Sequence, residues 1–315
     1  MQREVLVPEA TRVLSHVFHH VPSFRGRGRL LWSLNSLLLR RADVSSPAVA
    51  QMRPGHRMLV DLRSKTEFHA YYTGEYDAEN LRAVSALAEP DWVALDIGAN
   101  IGFHAVPLAL TLRSLGGQGK LYCFEPVPSN RERLEQNLAL NGAREACEIY
   151  GFGLSNAPGE AQITLREDFE FGSTTGNAAL VISDGLDAQF RTLTVVLRRL
   201  DDWVEEQALS RLDFIKIDVE GHEDLVFEGG LKTLARFRPV LLAEMNNSYF
   251  QRRKVELDAR MTELLGPLGY EWIRHFPLQR RWAKTDTLLK PQRAHDVFLV
   301  PRERSRALLS VLNSA

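Results

Sequence analysis

The sequence predicts an α/β fold, a mostly parallel sheet with helices on both faces, preceded by a helical extension at the N-terminus. Two features of the pattern carry this expectation. Between residues 93 and 245 five short apolar runs occur, each nearly continuous in Val, Ile, Leu or Phe, as strands buried on both faces are. Several of these runs are separated by amphipathic stretches long enough for crossover helices, the signature of parallel pairing.

The elements follow in order. Residues 8–20 and 29–41 read as amphipathic helices, separated by Pro22 and the RGRGR run at 25–29. MLVDLR (58–63) reads as a short strand; a polar, aromatic stretch, FHAYYTGEYD, precedes a helix over 78–88. The first core strand is VALDIG (93–98), with a helix over 102–113. KLYCFEP (120–126) is the second, stopped by Pro126, with a helix over 128–141 that ends at Asn141-Gly142. CEIYGFGLS (147–155), DFIKIDV (213–219) and PVLLAEM (239–245) are the third, fourth and fifth, with a helix over 222–235 after the fourth. AQITL (161–165), a Gly/Ser/Thr/Asn-rich loop (172–177) and LTVVLRRLDDW (193–203) read as an insertion of strands and loop over about 160–203. After a helix at 254–265, YEWIRH (270–275) and DVFLVP (296–301) pair as an antiparallel hairpin at the sheet edge, flanking a basic, exposed segment. The expected organisation is a helical extension (1–57), a cap segment (58–90), a core domain (91–301) and a tail (302–315).

A chain of 315 residues buries one sizeable core plus an appendage. Its hydrophobic fraction of 44% and charged fraction of 25% are ordinary for a globular protein, and a net charge of −1 gives no global reason to expect nucleic acid or membrane. Residues 1–57 are locally basic, with nine arginines against Glu4, Glu9 and Asp43. Cys123 and Cys147 are too few for a disulfide framework or a zinc cluster and read as small buried hydrophobes in a reducing compartment. The first residues lack the apolar core of a signal peptide, and the most apolar run, LLWSLNSLLL (30–39), falls short of the ~20 residues of a membrane span. The expected location is cytoplasmic.

One constellation carries chemistry. The first core strand ends in Asp96-Ile97-Gly98, and Gly102 follows where a helix begins. Small residues there admit a ligand to the backbone, and the helix N-terminus offers free N–H groups. Glu125 ends the second strand about twenty residues further on, where a Rossmann-like fold reads two ribose hydroxyls. A dinucleotide site requires glycine at the position of Asn100, and no P-loop follows. A phosphate-free nucleoside bearing a zwitterion, S-adenosylmethionine, suits Asp96, Asn100 and the helix start better.

ALDIGANIGFHAVPLA, LYCFEPVPSNRERLEQNLALNG, GFGLSN, DFIKIDVEGHEDLVFEGG and PVLLAEM, in that order over about residues 72–247, closely resemble the FkbM family of methyltransferases. The resemblance implies a class I methyltransferase sheet of seven strands with the last antiparallel, S-adenosylmethionine as cofactor, and action mainly on hydroxyls of sugars or polyketide products. It places the cofactor motif on Asp96, Gly98, Asn100 and Gly102 and the ribose-binding acid on Glu125. It puts Leu154 and Ser155, with Gly153, against adenine, and the segment Thr73-Gly74-Glu75-Tyr76 over the methionine end, through Glu75 or Tyr76.

Asp218, Glu220 and His222 follow the fourth strand and Glu244 ends the fifth, at the carboxyl edge where ligands of open α/β sheets lie. An alcohol acceptor benefits from a general base, worth about 10²–10⁴-fold. Asp218, His222 and Glu244 are the candidate catalytic residues, and the sequence does not rank them: His222 also fits a polar helix start, Asp218 a sulfonium-shielding role, Glu244 a satisfied strand end. Lys216 reads as a structural ion pair, and His104 as a neighbour of cofactor or acceptor or a packed first-turn residue. Asp218, Glu220 and Glu244 form a possible Mg²⁺ ligand set, but nothing in their spacing demands one, and no metal is expected. The Gly172–Gly176 loop reads as a lid, an acceptor contact or an ordinary surface loop.

The expected activity is O-methylation of a glycan or secondary metabolite. The alternatives are N-methylation of a protein or small molecule, and a non-catalytic S-adenosylmethionine-binding partner protein. An exocyclic-amine nucleic-acid methyltransferase is disfavoured, since Asp218-Val219-Glu220-Gly221 stands where an Asn/Asp-Pro-Pro-aromatic segment would be. Membrane contact is expected to be peripheral at most, through the basic helices of residues 8–41, with a lipid-linked glycan among the possible acceptors.

Overall fold

The computed structural model describes residues 9–22, 24, 26–39, 47–165, 173, 175–182, 185–288 and 294–314. The predicted residues at 1–8, 23, 25, 40–46, 166–172, 174, 183–184 and 289–293 lie outside them. The core strands are β3 (Val93–Ile97), β4 (Lys120–Phe124), β5 (Cys147–Tyr150), β10 (Phe214–Ile217) and β11 (Val240–Met245), joined at one edge by β12 (Tyr270–Phe276), β13 (Arg281–Thr285) and β14 (His295–Pro301). Their spatial order is β13-β12-β14-β11-β10-β3-β4-β5. β10 pairs in parallel with β3 and β11, and β4 with β3 and β5. β14 runs antiparallel between β11 and β12, as expected of the hairpin, and β13 adds an antiparallel edge strand. Without β13 this is the seven-strand arrangement expected; with it, the sheet has eight. Trp282 of the added strand is buried and crosses Phe298 edge-on at 5.3 Å, which explains why part of a segment read as exposed joins the sheet.

Period-two alternation sends successive side chains to opposite faces. Ala94, Leu121, Cys123, Phe214, Leu242 and Phe298 face one apolar cluster, which includes α4 (Ala78–Leu87), α5 (Ala105–Ser114) and α12 (Arg302–Leu312). Leu95, Ile97, Phe124, Ile215, Ile217 and Leu241 face the other, and Trp203 packs there against the rings of Tyr122, Phe124 and Tyr150. Trp203 is fully buried, lies edge-on to Phe124 at 4.9 Å, and belongs to α7 (Leu200–Glu206). The sequence pattern read that segment as strand and loop. The strand ends at Arg198, and the Leu-Asp-Asp-Trp run turns helical with Asp201 and Asp202 in its first turn, where the helix dipole favours acids.

The remaining elements surround this sheet. α1 (Glu9–His20) and α2 (Arg27–Leu39) pack against α3 (Glu67–Thr73), beside the hairpin of β1 (Ala48–Gln51) and β2 (Arg57–Val60). α6 (Pro128–Leu140) starts with proline at N1, where its missing N–H costs nothing. The helix expected over 222–235 is two, α8 (Glu223–Glu228) and α9 (Leu231–Phe237), broken at Gly229-Gly230. α10 (Asn247–Arg252) and α11 (Leu257–Leu265) precede β12. The third strand also divides. After β5 the chain leaves the large sheet, and β6 (Gly153–Leu154), β7 (Gly159–Leu165), β8 (Ala178–Leu180) and β9 (Thr192–Arg198) make a second sheet of order β6-β9-β7-β8. The insertion is therefore a sheet of its own, and it supplies one wall of the cleft described next.

Candidate active site

A cleft of about 270 Å³ opens at the carboxyl ends of β3, β4, β10 and β11, beneath the second sheet. Its floor is the turn after β3. Gly98 has φ +78°, and a Cβ there would lie 1.9 Å from the carbonyl oxygen of Asp218, so only glycine lets the tips of β3 and β10 come this close. Asn100 adopts φ +48°, a left-handed conformation that asparagine tolerates better than most residues. Its N–H donates to Glu125 Oε2 at 2.8 Å, and the N–H of Val127 donates to Glu125 Oε1 at 2.9 Å. Glu125 is 4% exposed, and burial lifts its carboxyl from an ordinary 4.5 to about 7 against the pull of those two donors. Leu154, Ile163, Leu180, Val195 and Leu197 make the wall beside Glu125 apolar.

The other end of the cleft is acidic. Asp218, Glu220 and Glu244 bring carboxylate oxygens within 4.8 Å of one another, near enough for one hard cation to bridge. Lys216 Nζ already pairs with Asp218 Oδ2 at 3.1 Å. Asp218 first, and burial second, push Glu244 far above the carboxylate range. Glu220 holds φ +55°, so two of the non-glycine left-handed residues, Asn100 and Glu220, line the cleft. Tyr76 stacks on Phe103 with ring centroids 4.0 Å apart and stands edge-on to His104 at 6.0 Å. His104 Nε2 lies 3.1 Å from Asp77 Oδ2. Burial would lower the His104 pKa, but the bond to Asp77 and the charges of Asp77 and Asp96 more than offset it, and it stands raised.

Of the residues singled out from sequence, Gly98, Asn100, Glu125, Leu154, Asp218, His222 and Glu244 all line this cleft. Four others do not. Asp96 lies on the sheet face of Ala94, so its side chain turns toward α4 and α5 and a small void next to Leu81, Val84 and Leu108. There it is 1% exposed, with Lys216 Nζ at 3.9 Å. Glu75 is drawn away by Arg53 at 2.9 Å and Arg27 at 3.3 Å, and Tyr76 faces the cleft instead. Gly102, at φ +96°, makes room for Leu134, whose Cδ1 would be 2.7 Å from an added Cβ. Ser155 is buried and its N–H is tied to the Arg198 carbonyl at 2.9 Å, leaving Leu154 at the wall. Lys216 forms the ion pair expected of it.

Sequence reasoning singled out His104, which lines the cleft, but passed over its partner Asp77 and Phe103, Asn177 and Leu180. Asn177 Oδ1 accepts from Asn100 Nδ2 at 3.3 Å, which ties the insertion to the glycine turn. Its signal was the Gly/Ser/Thr/Asn-rich loop, of which Gly172 and Thr174 lie outside the described residues. Asp77 had no signal, because its place depends on Asn80, whose amide donates to Asp77 at 2.8 Å and to Asp296 at 2.9 Å, some 216 residues away.

The sequence profile described as the methyltransferase FkbM domain matches residues 96–272. A protein named 2-O-methyltransferase NoeI, from Sinorhizobium fredii, is 30% identical over 220 residues, covering 66% of this chain and 82% of that one. The AMB antimetabolite synthetase AmbE of Pseudomonas aeruginosa is 28% identical over 246 residues, 69% of this chain but only 11% of the synthetase. Hexuronic acid methyltransferase AglP of Haloferax volcanii is 25% identical over 193 residues, 61% of this chain and 72% of that one.

Proposed function

We propose that this chain, which belongs to the FkbM methyltransferase family and takes its methyl group from S-adenosylmethionine, methylates a hydroxyl of a sugar, a glycan or a secondary metabolite. The observation that carries the reading is one cleft with a buried carboxylate and an apolar wall at one end and a convergence of acids at the other. It suits a nucleoside joined to a cationic, phosphate-free group: among the described residues the cleft lining includes no arginine, and its one lysine is engaged by Asp218. A relative named as a 2-O-methyltransferase supports oxygen as the acceptor atom, and one named as a hexuronic acid methyltransferase supports a sugar as its carrier.

The cofactor fits the residues present. Glu125 spends one lone pair of each oxygen on backbone N–H groups and keeps others for two ribose hydroxyls. Leu154 and Val127 flank the place for an adenine ring, and Gly98 and Asn100 expose backbone to the amino-acid end. When bound, the cofactor supplies an electrophilic methyl carbon on a sulfonium. The chain then has to hold an acceptor oxygen in line with that carbon, about 3 Å away, and to keep water out. Tyr76 and Phe103 offer a flat apolar surface for a sugar face, and Asp218, with its oxygen fixed by Lys216, accepts a hydrogen bond from an acceptor hydroxyl. Glu244, held neutral by its neighbours, donates one. His222, 7% exposed at the start of α8, closes the floor beside Asp218.

The test is a mass-spectrometric screen of neutral and acidic oligosaccharides and metabolites for a gain of one CH₂ in the presence of S-adenosylmethionine, with the position of methylation read by fragmentation. Methyl on oxygen supports the reading; methyl on nitrogen, or cofactor binding with no acceptor, supports one of the two alternatives.

A cytoplasmic location is part of the same proposal, supported by Cys123 and Cys147, both buried and outside any disulfide, as fits a reducing compartment. No helix among the described residues is long and apolar enough to cross a membrane. Val13, Val17, Leu30 and Leu37 are nonetheless exposed on the N-terminal helices, which supports peripheral contact with anionic lipid and a lipid-linked acceptor. Co-sedimentation with phosphatidylglycerol vesicles, comparing the wild type with Val13→Asp/Leu37→Asp, decides this point: equal binding by both removes it.

A further inference from the structure

We infer that His104, oriented by Asp77, is the group that takes the proton from the acceptor hydroxyl; this rests on the reading above. The geometry is that of an activated imidazole. Nε2 faces a carboxylate oxygen at 3.1 Å, and because a carboxylate only accepts, the ring proton sits on Nε2. Nδ1 is then the basic nitrogen. The ring lines the cleft and keeps 12% of its side chain exposed. It stands edge-on to Tyr76, whose own ring lies flat on Phe103, so the aromatic surface and the base share one corner.

The partner is itself held in place. Asp77 takes φ +40° ahead of α4, a conformation that costs free energy for any residue with a Cβ. Asn80 pins it there, its amide donating 2.8 and 3.1 Å bonds to the two Asp77 oxygens and a 2.9 Å bond to Asp296. Strain and a clamp on a carboxylate whose other contact is a cleft histidine indicate positioning for chemistry rather than packing. The other carboxylates of the cleft are less suited: Asp218 is ion-paired with Lys216, and Glu244 is held protonated.

The step balances. The acceptor O–H bond breaks and its proton goes to Nδ1 of His104. An oxygen lone pair forms the bond to the methyl carbon as the carbon–sulfur bond breaks, and that electron pair stays on sulfur as the neutral thioether. The imidazolium, stabilised by Asp77, returns its proton to water. The charges around the ring are Asp77, Asp96 and Asp296, which favour its protonated form, and Lys216, which opposes it.

Three measurements test the pair, using the acceptor found in the screen. His104→Gln should lose about 10²–10⁴-fold in turnover, with S-adenosylmethionine affinity by calorimetry within about threefold of wild type. Wild-type turnover should rise with pH through a pKa above 6.5 and then level off, and His104→Gln should lack that limb. In the uncomplexed protein, the ring protons of His104 should titrate above 6.5 by NMR, and Asp77→Asn should move that titration down. Undiminished plateau turnover in His104→Gln, an equal loss of affinity and turnover, or a titration unmoved by Asp77→Asn each overturn the inference. A wild type that methylates no hydroxyl brings down the parent reading and this one with it; a wild type that does so, matched by His104→Gln, brings down this one alone.

Discussion

The ribose contact proposed for Glu125 makes cofactor affinity depend on pH in a calculable way. The Glu125 carboxyl is buried at the tip of β4, and burial, opposed by the N–H groups of Val127 and Asn100, raises it to about 7. Ribose hydroxyls donate, so they bind the ionised form. Affinity is then reduced by the fraction of protein that is protonated at this site. With a pKa of about 7 in the free protein, binding should be about 10-fold weaker at pH 6 than at its plateau and about 100-fold weaker at pH 5. The linkage acts on folding with the opposite sign: between 4.5 and 7 the native state holds a proton that the unfolded chain has released, so this group's contribution to stability falls as pH rises across that window. Glu125→Gln removes the titration and sets an amide NH₂ against one of two backbone donors, at a cost of ~1–3 kcal/mol. Isothermal titration of wild type and Glu125→Gln with S-adenosylmethionine from pH 5 to 8 reads the difference. The variant should bind at least tenfold more weakly at pH 8, and its affinity should vary less with pH. An identical slope in both proteins would refute the assignment of the titration, and unchanged affinity at pH 8 would refute the role of Glu125 itself.

Three further outcomes are expected. Glu75→Gln, which loosens ties to Arg27 and Arg53 outside the cleft, should leave cofactor affinity within about twofold and lower stability by roughly 1 kcal/mol, as chemical denaturation will show. Gly98→Ala forces a Cβ against the Asp218 carbonyl and should cost ~3 kcal/mol or more, with a fall in melting temperature of several degrees. Trp203→Ala leaves a cavity against Tyr122, Phe124 and Tyr150 and should cost about 3–5 kcal/mol, seen as a lower urea midpoint.

What was legible in the sequence had local causes. The core strands could be read because each is apolar along its length, and the helix starting at Pro128 because proline fits its first position. Gly98, Asn100 and Glu125 could be placed because a strand-to-helix turn and the next strand tip are fixed relative to each other by β3–β4 pairing in register. Asp96 stands off the cleft for a reason that strand geometry also explains. A residue at a strand end reaches the ligand only if its side chain faces that way, and period-two alternation puts Asp96 on the face of Ala94, toward the cluster that holds α4 and α5. Glu75 had no such rule to betray it; two arginines, one from α2 and one from the loop after β1, outcompete the cleft. The second sheet and the Asn80 clamp depend on contacts between residues far apart in the chain, which periodicity does not encode.

The placement of acids along the cleft bears on how a methyl cation equivalent is handled. As the methyl group moves, positive charge leaves the donor sulfur and builds on the acceptor oxygen. Acids clustered at the sulfur would favour the reactants over the transition state; acids at the acceptor favour the transition state. Of the four carboxylates that line the cleft among the described residues, Glu125 stands alone on the β4 side, and Asp218, Glu220 and Glu244 gather at the tips of β10 and β11. Their mutual repulsion keeps a proton on Glu244 while the site is empty. A growing positive charge on an oxygen held among them relieves that repulsion, so the same crowding that makes the empty site unfavourable becomes attraction as the methyl arrives, and the proton released from the hydroxyl needs a base outside the crowded trio.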